Sequence, residues 1–185
     1  IIRELLKVTG KPGMISFGGG VPDPETFPRH EMAEISREIL ENEYRYTLQY
    51  ASTEGDPILK EEYISLLKRE NGIEGLELDN LLITVGSQSA LDLVSKIFLD
   101  EDSIYFVSKP VYLGAASTFS LRSRQYVYMN LTEDGVDLDE LEQSLEEIKV
   151  RGDIGKVKFI YVISNFHNPG GVTMSLAKRE RLVEI

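Results

Sequence analysis

The chain contains no cysteine among its 185 residues. That absence excludes a disulfide framework, a thiolate metal site and a thiol nucleophile, and it fits a reducing cytoplasm; no metal ion is expected. Long uncharged apolar runs are missing too, which excludes a membrane-spanning helix. The opening Ile1-Ile2-Arg3-Glu4 lacks the basic and apolar regions of a signal peptide. Positive charge is in deficit: 20 Lys and Arg stand against 31 Asp and Glu, a net charge of -11 that opposes binding to phosphate backbones. The expectation is a soluble cytoplasmic protein with no nucleic-acid partner and no membrane partner.

What is present is a 42% apolar content, sufficient for one sizeable core, and length alone suggests one domain. Short β-branched and aromatic runs alternate with helically spaced apolar residues, a pattern that predicts an α/β fold with a mostly parallel sheet flanked by helices. Strands are predicted for Leu81 to Val85, Ile104 to Val107, Gln125 to Met129 and Val157 to Ile163, with a short extended Ile15-Ser16-Phe17 before them. One helix is predicted from Arg29 to Leu40. A second starts at Pro57 behind the N-cap Asp56, presents Ile58, Leu59, Tyr63, Leu66 and Leu67, and stops at Asn71-Gly72. A third has the face Ala90, Leu91, Val94, Ile97 and Phe98, and a fourth the face Leu138, Leu141, Leu145 and Ile148. The chain opens without Met and ends inside an apolar-periodic helix at Ile185, so it is expected to be a piece of something longer.

Chemistry is expected where the strands end, because ligands of open α/β sheets bind outside the carboxyl ends of the strands. The run Val157 to Ile163 leads into Ser164-Asn165-Phe166-His167-Asn168-Pro169-Gly170-Gly171. Pro169 fixes its own φ and keeps Asn168 out of the helical region, while the glycines allow a sharp turn and close approach of a ligand. Asn168 then aims its amide outward from a stiff turn; a plain strand-to-helix loop is the alternative. Gly86-Ser87-Gln88-Ser89-Ala90 passes from a strand directly into a helix. Free N–H groups gather there at the positive end of the helix dipole, a place that suits a phosphate. A Ser N-cap closing an ordinary βα unit explains the same residues. Neither the dinucleotide G-x-G-x-x-G nor the G-K-[ST] of a P-loop occurs.

Ser108-Lys109-Pro110-Val111-Tyr112 leaves the next strand, and Tyr112 serves either as an aromatic face for a planar ligand or as a core side chain. Tyr50 precedes the turn before Pro57, where a tyrosine usually packs. Gly18-Gly19-Gly20 bares backbone, either toward a substrate or as a flexible loop. Parallel strand ends share one edge, so a phosphate cradle, an aromatic plate and an amide donor surround one crevice. A flat heteroaromatic phosphate ester meets all three, and pyridoxal 5'-phosphate is the obvious candidate.

Five segments carry a family resemblance. Ile15-Ser16-Phe17-Gly18-Gly19-Gly20-Val21-Pro22, Leu48-Gln49-Tyr50, Thr84-Val85-Gly86-Ser87-Gln88, Pro110-Val111-Tyr112-Leu113-Gly114 and Phe166-His167-Asn168-Pro169 occur in that order across nearly the whole chain. Together they resemble the fold-type I, class I and II aminotransferases, especially the branch with 2-aminoadipate, kynurenine and aromatic aminotransferases. The resemblance implies that Ser87 and Gln88 hold the phosphate of pyridoxal phosphate, Tyr112 stacks on its pyridine ring, and Asn168 hydrogen-bonds its phenolic oxygen. Tyr50 would reach the phosphate of a neighbouring subunit's cofactor, which implies a homodimer. Gly19 and Gly20 align with the loop over the substrate, which Asn168 would also touch, and cis peptides before Pro110 and Pro169 are a further hypothesis. Residues 1-45 would form an N-terminal arm with the first helix, and residues 46-185 the first part of the cofactor-binding large domain.

Departures from the family pattern are specific. His167 stands where Gln is usual, Gly170 where another small residue is, Ser164 replaces a common Pro, and Lys109 an acidic residue. Gly170 is expected to loosen the turn. The imine-forming Lys, the Asp that protonates the pyridine nitrogen and the carboxylate-binding Arg residues are all expected beyond Ile185. Lys68 and Lys178 end S-x-x-K matches, yet both lie in amphipathic helices and are read as surface residues. The parent implied is an aminotransferase that moves an amino group from an amino acid to a 2-oxo acid through a pyridoxal phosphate imine, the fragment alone being inactive. The alternative is the aminotransferase-like ligand-sensing domain of a GntR-type transcription regulator.

Overall fold

A computed structural model describes residues 22–185, and the chain divides into two compact units, Ile1–Thr53 and Glu54–Ile185. Gly19, Gly20 and the segment Ile15-Ser16-Phe17 lie outside the described residues. In the first unit the Asp23 carboxylate accepts from the Glu25 N–H at 3.0 Å and starts a short 3-10 turn, Pro24–Thr26. Helix α1, Arg29–Asn42, follows, then the single turn α2, Tyr44–Thr47.

The second unit opens on α3, Pro57–Asn71, whose ends match the expected signals. The Asp56 carboxylate caps the Leu59 N–H at 3.0 Å, and Gly72 closes the helix at φ 67°, a left-handed turn that costs glycine little. Its expected apolar face is less buried than the spacing suggests, with Ile58 and Leu59 both more than half exposed. Then come α4 (Gly86–Phe98), β1 (Ile104–Lys109), α5 (Leu113–Phe119), β2 (Gln125–Thr132), β3 (Gly135–Val136), α6 (Leu138–Val150), β4 (Val157–Tyr161) and α7 (Leu176–Glu184).

The four strands form one sheet in the order β3-β2-β1-β4. Strand β1 pairs parallel with β2 and with β4, while β3 folds back antiparallel on β2. Alternation along the central strand builds a core on each face. Ile104 and Phe106 join Met129, Val136, Leu138, Leu141, Ile148 and Met174 on the α6 face. Tyr105 and Val107 join Leu99, Ala115 and Phe119 on the face that α4 and α5 cover. There Phe119 meets Tyr105, Phe159 and Tyr161 edge-on at centroid distances of 5.1 to 5.4 Å.

Three expectations need correction. Leu81 to Val85 is not a buried strand: it has no ladder partner among the described residues, Leu82 and Val85 are exposed, and its tie to the unit is the Ile83 N–H donating to Glu54 O. An extended run becomes a strand only when a neighbour takes up its backbone groups. Helix α4 buries Ser95, with Leu91 half-buried on the same side and Leu99 buried just past its end, whereas Val94, Ile97 and Phe98 are exposed.

The third correction concerns Lys178, which is not a surface residue. Its ammonium donates to Thr132 Oγ1 at 2.7 Å and Val136 O at 3.0 Å and pairs with Asp134 at 2.8 Å. Those contacts tie the start of α7 to the β2–β3 turn, and hydrogen bonding from Lys178 holds the Asp134 carboxyl below its ordinary range. Lys178→Met keeps the alkyl stem but strands a half-buried carbonyl and hydroxyl, so we expect a loss of about 1–3 kcal/mol in urea unfolding. Lys68, whose side chain is 65% exposed beside Glu74, provides the contrast, and Lys68→Met should leave the midpoint where it is.

Candidate functional site

The loop after β4 is a closed structure in its own right. His167 N–H donates to Val172 O at 2.8 Å, Met174 N–H to Ser164 O at 2.8 Å, and Phe166 N–H to Thr173 Oγ1 at 3.1 Å. The Asn168-Pro169 peptide is cis, as is Lys109-Pro110 at the end of β1. Arg179, on the first turn of α7, clamps both ends of the loop by donating to Met174 O, Ser164 O and Asn165 Oδ1 at 2.6 to 3.0 Å. Asn168 itself is exposed at the tip.

The His167 ring is buried beneath that tip at 2% exposure. Its Nδ1 accepts from the Gly170 N–H at 3.1 Å and its Nε2 lies 2.7 Å from Ser108 Oγ. The Ser108 hydroxyl donates onward to Pro110 O at 2.8 Å. Burial lowers the basicity of the ring from its ordinary value. At Gly170 an added Cβ would collide with Leu131 Cδ2 and come within 3.0 Å of His167 Nδ1. A larger residue there would require the Leu131 side chain to move.

Tyr112 opens α5 and is half-buried against the aromatic cluster. Its ring lies over Gly114, where an added Cβ would fall 2.5 Å from Cε1. The Tyr161 phenol is pushed up by burial and then by the neighbouring Tyr112. Tyr112 is therefore packed against the core cluster and only partly covered by it.

Helix α4 begins at Gly86 with φ 73°, and no side chain caps it. The Ser N-cap alternative is thereby set aside. Ser87 and Gln88 are exposed in the first turn, where N–H groups have no intrahelical acceptor. The Gln88 side-chain amide donates to the Thr118 hydroxyl, which donates to Gly114 O at 2.8 Å. Hydrogen bonds thus run from Gln88 through Thr118 to Gly114, which the Tyr112 ring overlies, and separately from Pro110 through Ser108 and His167 to the loop that carries Asn168.

Tyr50 belongs to the first unit and is 99% exposed. Two hollows of about 590 and 410 Å³ lie elsewhere, one along α6 at Gln143 and Glu147, the other at Glu101 and Arg124. Neither is lined by Ser87, Gln88, Tyr112 or Asn168. Among the described residues no acidic and histidine cluster could hold a metal ion. Sequence reading missed Ser108 and Arg179 as supports. Arg179 left a trace, since a cation in the first turn of a helix opposes the dipole unless acceptors are close by.

A family model described as aminotransferase class I and II matches residues 12–185. The 2-aminoadipate transaminase of Thermus thermophilus is 40% identical over 184 residues, covering 100% of this chain and 43% of that protein. Aromatic-amino-acid aminotransferase 1 of Thermococcus litoralis is 38% identical, again over 100% of this chain and 43% of its own length. The crystal structure of Pyrococcus horikoshii kynurenine aminotransferase superposes with a TM-score of 0.89 at 37% identity, covering 99% of this chain and 44% of that one. The chain belongs to the class I and II aminotransferase family, with that family's α/β fold, and it spans under half the length of the curated relatives it matches. An uncharacterized HTH-type transcriptional regulator of Escherichia coli is similar at 25% identity.

Proposed function

We propose that the protein containing this chain transfers an amino group from an amino acid to a 2-oxo acid using pyridoxal 5'-phosphate. The observation that carries the reading is that the first turn of the uncapped helix α4 is hydrogen-bonded to α5, the helix that Tyr112 opens, while the loop carrying Asn168 is hydrogen-bonded to the end of β1 that leads into Tyr112. That donor set fits a planar phosphate ester: backbone N–H groups and the Ser87 hydroxyl for the phosphate, an aromatic face for the ring, an amide donor for an oxyanion. Bound there, the cofactor supplies an electron sink for the carbanion formed at the amino carbon.

In this reading Ser87 and Gln88 anchor the phosphate near the positive helix end, Tyr112 covers the ring, and Asn168 holds the phenolic oxygen. Tyr50 reaches the phosphate of a second subunit, so the active form is a homodimer, and Gly19 and Gly20 approach the substrate. Residues 1-45 act as an arm and 46-185 as the first part of the large domain; the cysteine-free composition suits a reducing cytoplasm. The covalent anchor lies outside these residues. Lys109 rests 5.6 Å from the Tyr128 ring centroid, and Lys178 is engaged by Thr132, Val136 and Asp134.

The test is borohydride reduction of the full-length protein with pyridoxal phosphate, peptide mapping, and transfer of labelled nitrogen from amino acids to 2-oxo acids. We expect one reduced lysine outside residues 1–185, nitrogen transfer by the full-length protein, and neither adduct nor transfer with the isolated fragment. A reduced adduct on Lys109 or Lys178 would overturn the reading. The likeness to a regulator favours a second one, a ligand-sensing domain of GntR type; a winged helix-turn-helix encoded upstream, with cofactor binding but no transfer, would select it.

A further inference from the structure

We infer that His167, as a neutral imidazole, is the positioning residue that sets Asn168 against Tyr112 by joining the loop after β4 to the loop after β1. The inference rests on the cofactor reading above.

The direction of every bond in the junction is determined. A backbone N–H only donates, so Nδ1 of His167 must accept from Gly170 and the ring proton must sit on Nε2. That Nε2–H then donates to Ser108 Oγ, leaving the Ser108 proton for Pro110 O. Both nitrogens of a 2% exposed ring are therefore used, one on each loop. The main chain of His167 is equally engaged, its N–H on Val172 O and its carbonyl accepting from the Gly171 N–H. Asn168 is the next residue, and Tyr112 lies two beyond Pro110. Neither loop can shift against the other while the junction holds.

A proton added at Nδ1 would face the Gly170 N–H, setting donor against donor in a buried place. Among the described residues no acidic group is bonded to the ring to offset that charge. On β1 the neighbouring Lys109 is turned to Tyr128, on β2 the residue beside Gly170 is the uncharged Leu131, and on α7 Arg179 is engaged by Met174, Ser164 and Asn165. Burial lowers its basicity, so the junction is intact at neutral pH and opens only below the ordinary histidine value of 6.5.

Glutamine offers an oxygen acceptor and an amide donor at about the separation of the two ring nitrogens, and it does not titrate. Leucine offers neither. The experiment measures the dissociation constant of pyridoxal phosphate from the full-length protein and its variants between about pH 5 and about pH 8. We expect His167→Gln to match wild type near pH 7.5, within about threefold, and His167→Leu to bind about tenfold more weakly at every pH. The ratio of wild-type to His167→Gln affinity should fall as pH drops below 6.5, a comparison in which titration of the cofactor's own phosphate cancels. Nitrogen NMR of histidine-labelled protein, assigned by the loss of one ring in His167→Gln, should show Nε2 protonated and Nδ1 bare.

Equal binding by folded His167→Leu, a ratio that does not change with pH, or an Nδ1-protonated ring would overturn the inference while leaving the cofactor reading intact. Wild-type protein that binds no pyridoxal phosphate overturns both. If His167→Leu does not fold, the wild-type and His167→Gln pH curves decide alone.

Discussion

Phe106→Ala should destabilise the protein by about 3–5 kcal/mol, the range for emptying a well-packed aromatic site. Phe106 is the midpoint of the central strand, fully buried, with Val127 and Ile160 as its partners on either side. Its ring shares the α6-side cluster with Met129, Leu141 and Ile148, side chains anchored by separate elements. Collapse around the void would have to bend a strand hydrogen-bonded on both edges, so the cavity persists and its cost is added to the lost transfer energy. Leu121→Ala is the control, because Leu121 is 80% exposed in the turn after α5 and truncation there should stay within about 0.5 kcal/mol. Urea unfolding followed by far-ultraviolet circular dichroism reads both. A Phe106→Ala shift no larger than that of Leu121→Ala would mean that β1 is not the centre of the core.

How much of this could be read from the sequence depended on whether a signal was local. Asp56-Pro57 and Gly72 mark the ends of α3 because caps act within one turn of the backbone. The stripe Leu138, Leu141, Leu145 and Ile148 reads correctly since α6 lies flat on one sheet face. Leu81 to Val85 has the composition of a strand but, among the described residues, no ladder partner, and composition carries no information about neighbours. The same limit explains α4, where Ser95 is buried and Ile97 is not. Position on a helix gives the angle of a side chain; what covers that angle is set by other elements. Lys178 is the sharper case, because its acceptors Thr132 and Val136 lie more than forty residues away in sequence.

The candidate site divides along the same line. Ser87, Gln88, Tyr112 and Asn168 are marked by punctuation at segment ends, which is local, whereas the bonds between Gln88 and Thr118 and between Ser108 and His167 join segments far apart in sequence. Those bonds were invisible beforehand. A serine inside a strand and a histidine beside an Asn-Pro turn have no spacing in common, and only the parallel pairing of β1 with β4 brings them within 2.7 Å.

Asn168→Ala should weaken binding of pyridoxal phosphate to the full-length protein by roughly ten- to a hundredfold, the effect of losing a hydrogen bond to a charged acceptor, about 1.5–3 kcal/mol. The loop should survive the change. It is held by the backbone groups of Phe166, His167, Gly171 and Met174 and by the Arg179 guanidinium, while the Asn168 side chain is exposed. Alanine also tolerates the extended backbone that a following proline demands. Asn168→Asp is the more severe test, because a carboxylate beside an oxyanion adds repulsion to the lost donor, and its penalty should shrink as the pH approaches the carboxyl's own titration range. Fluorescence titration of the apoprotein with cofactor measures both, alongside circular dichroism to confirm an unchanged fold. If Asn168→Asp binds as well as wild type, no oxyanion faces position 168, and the loop is then a rigid connector whose buried histidine serves packing alone.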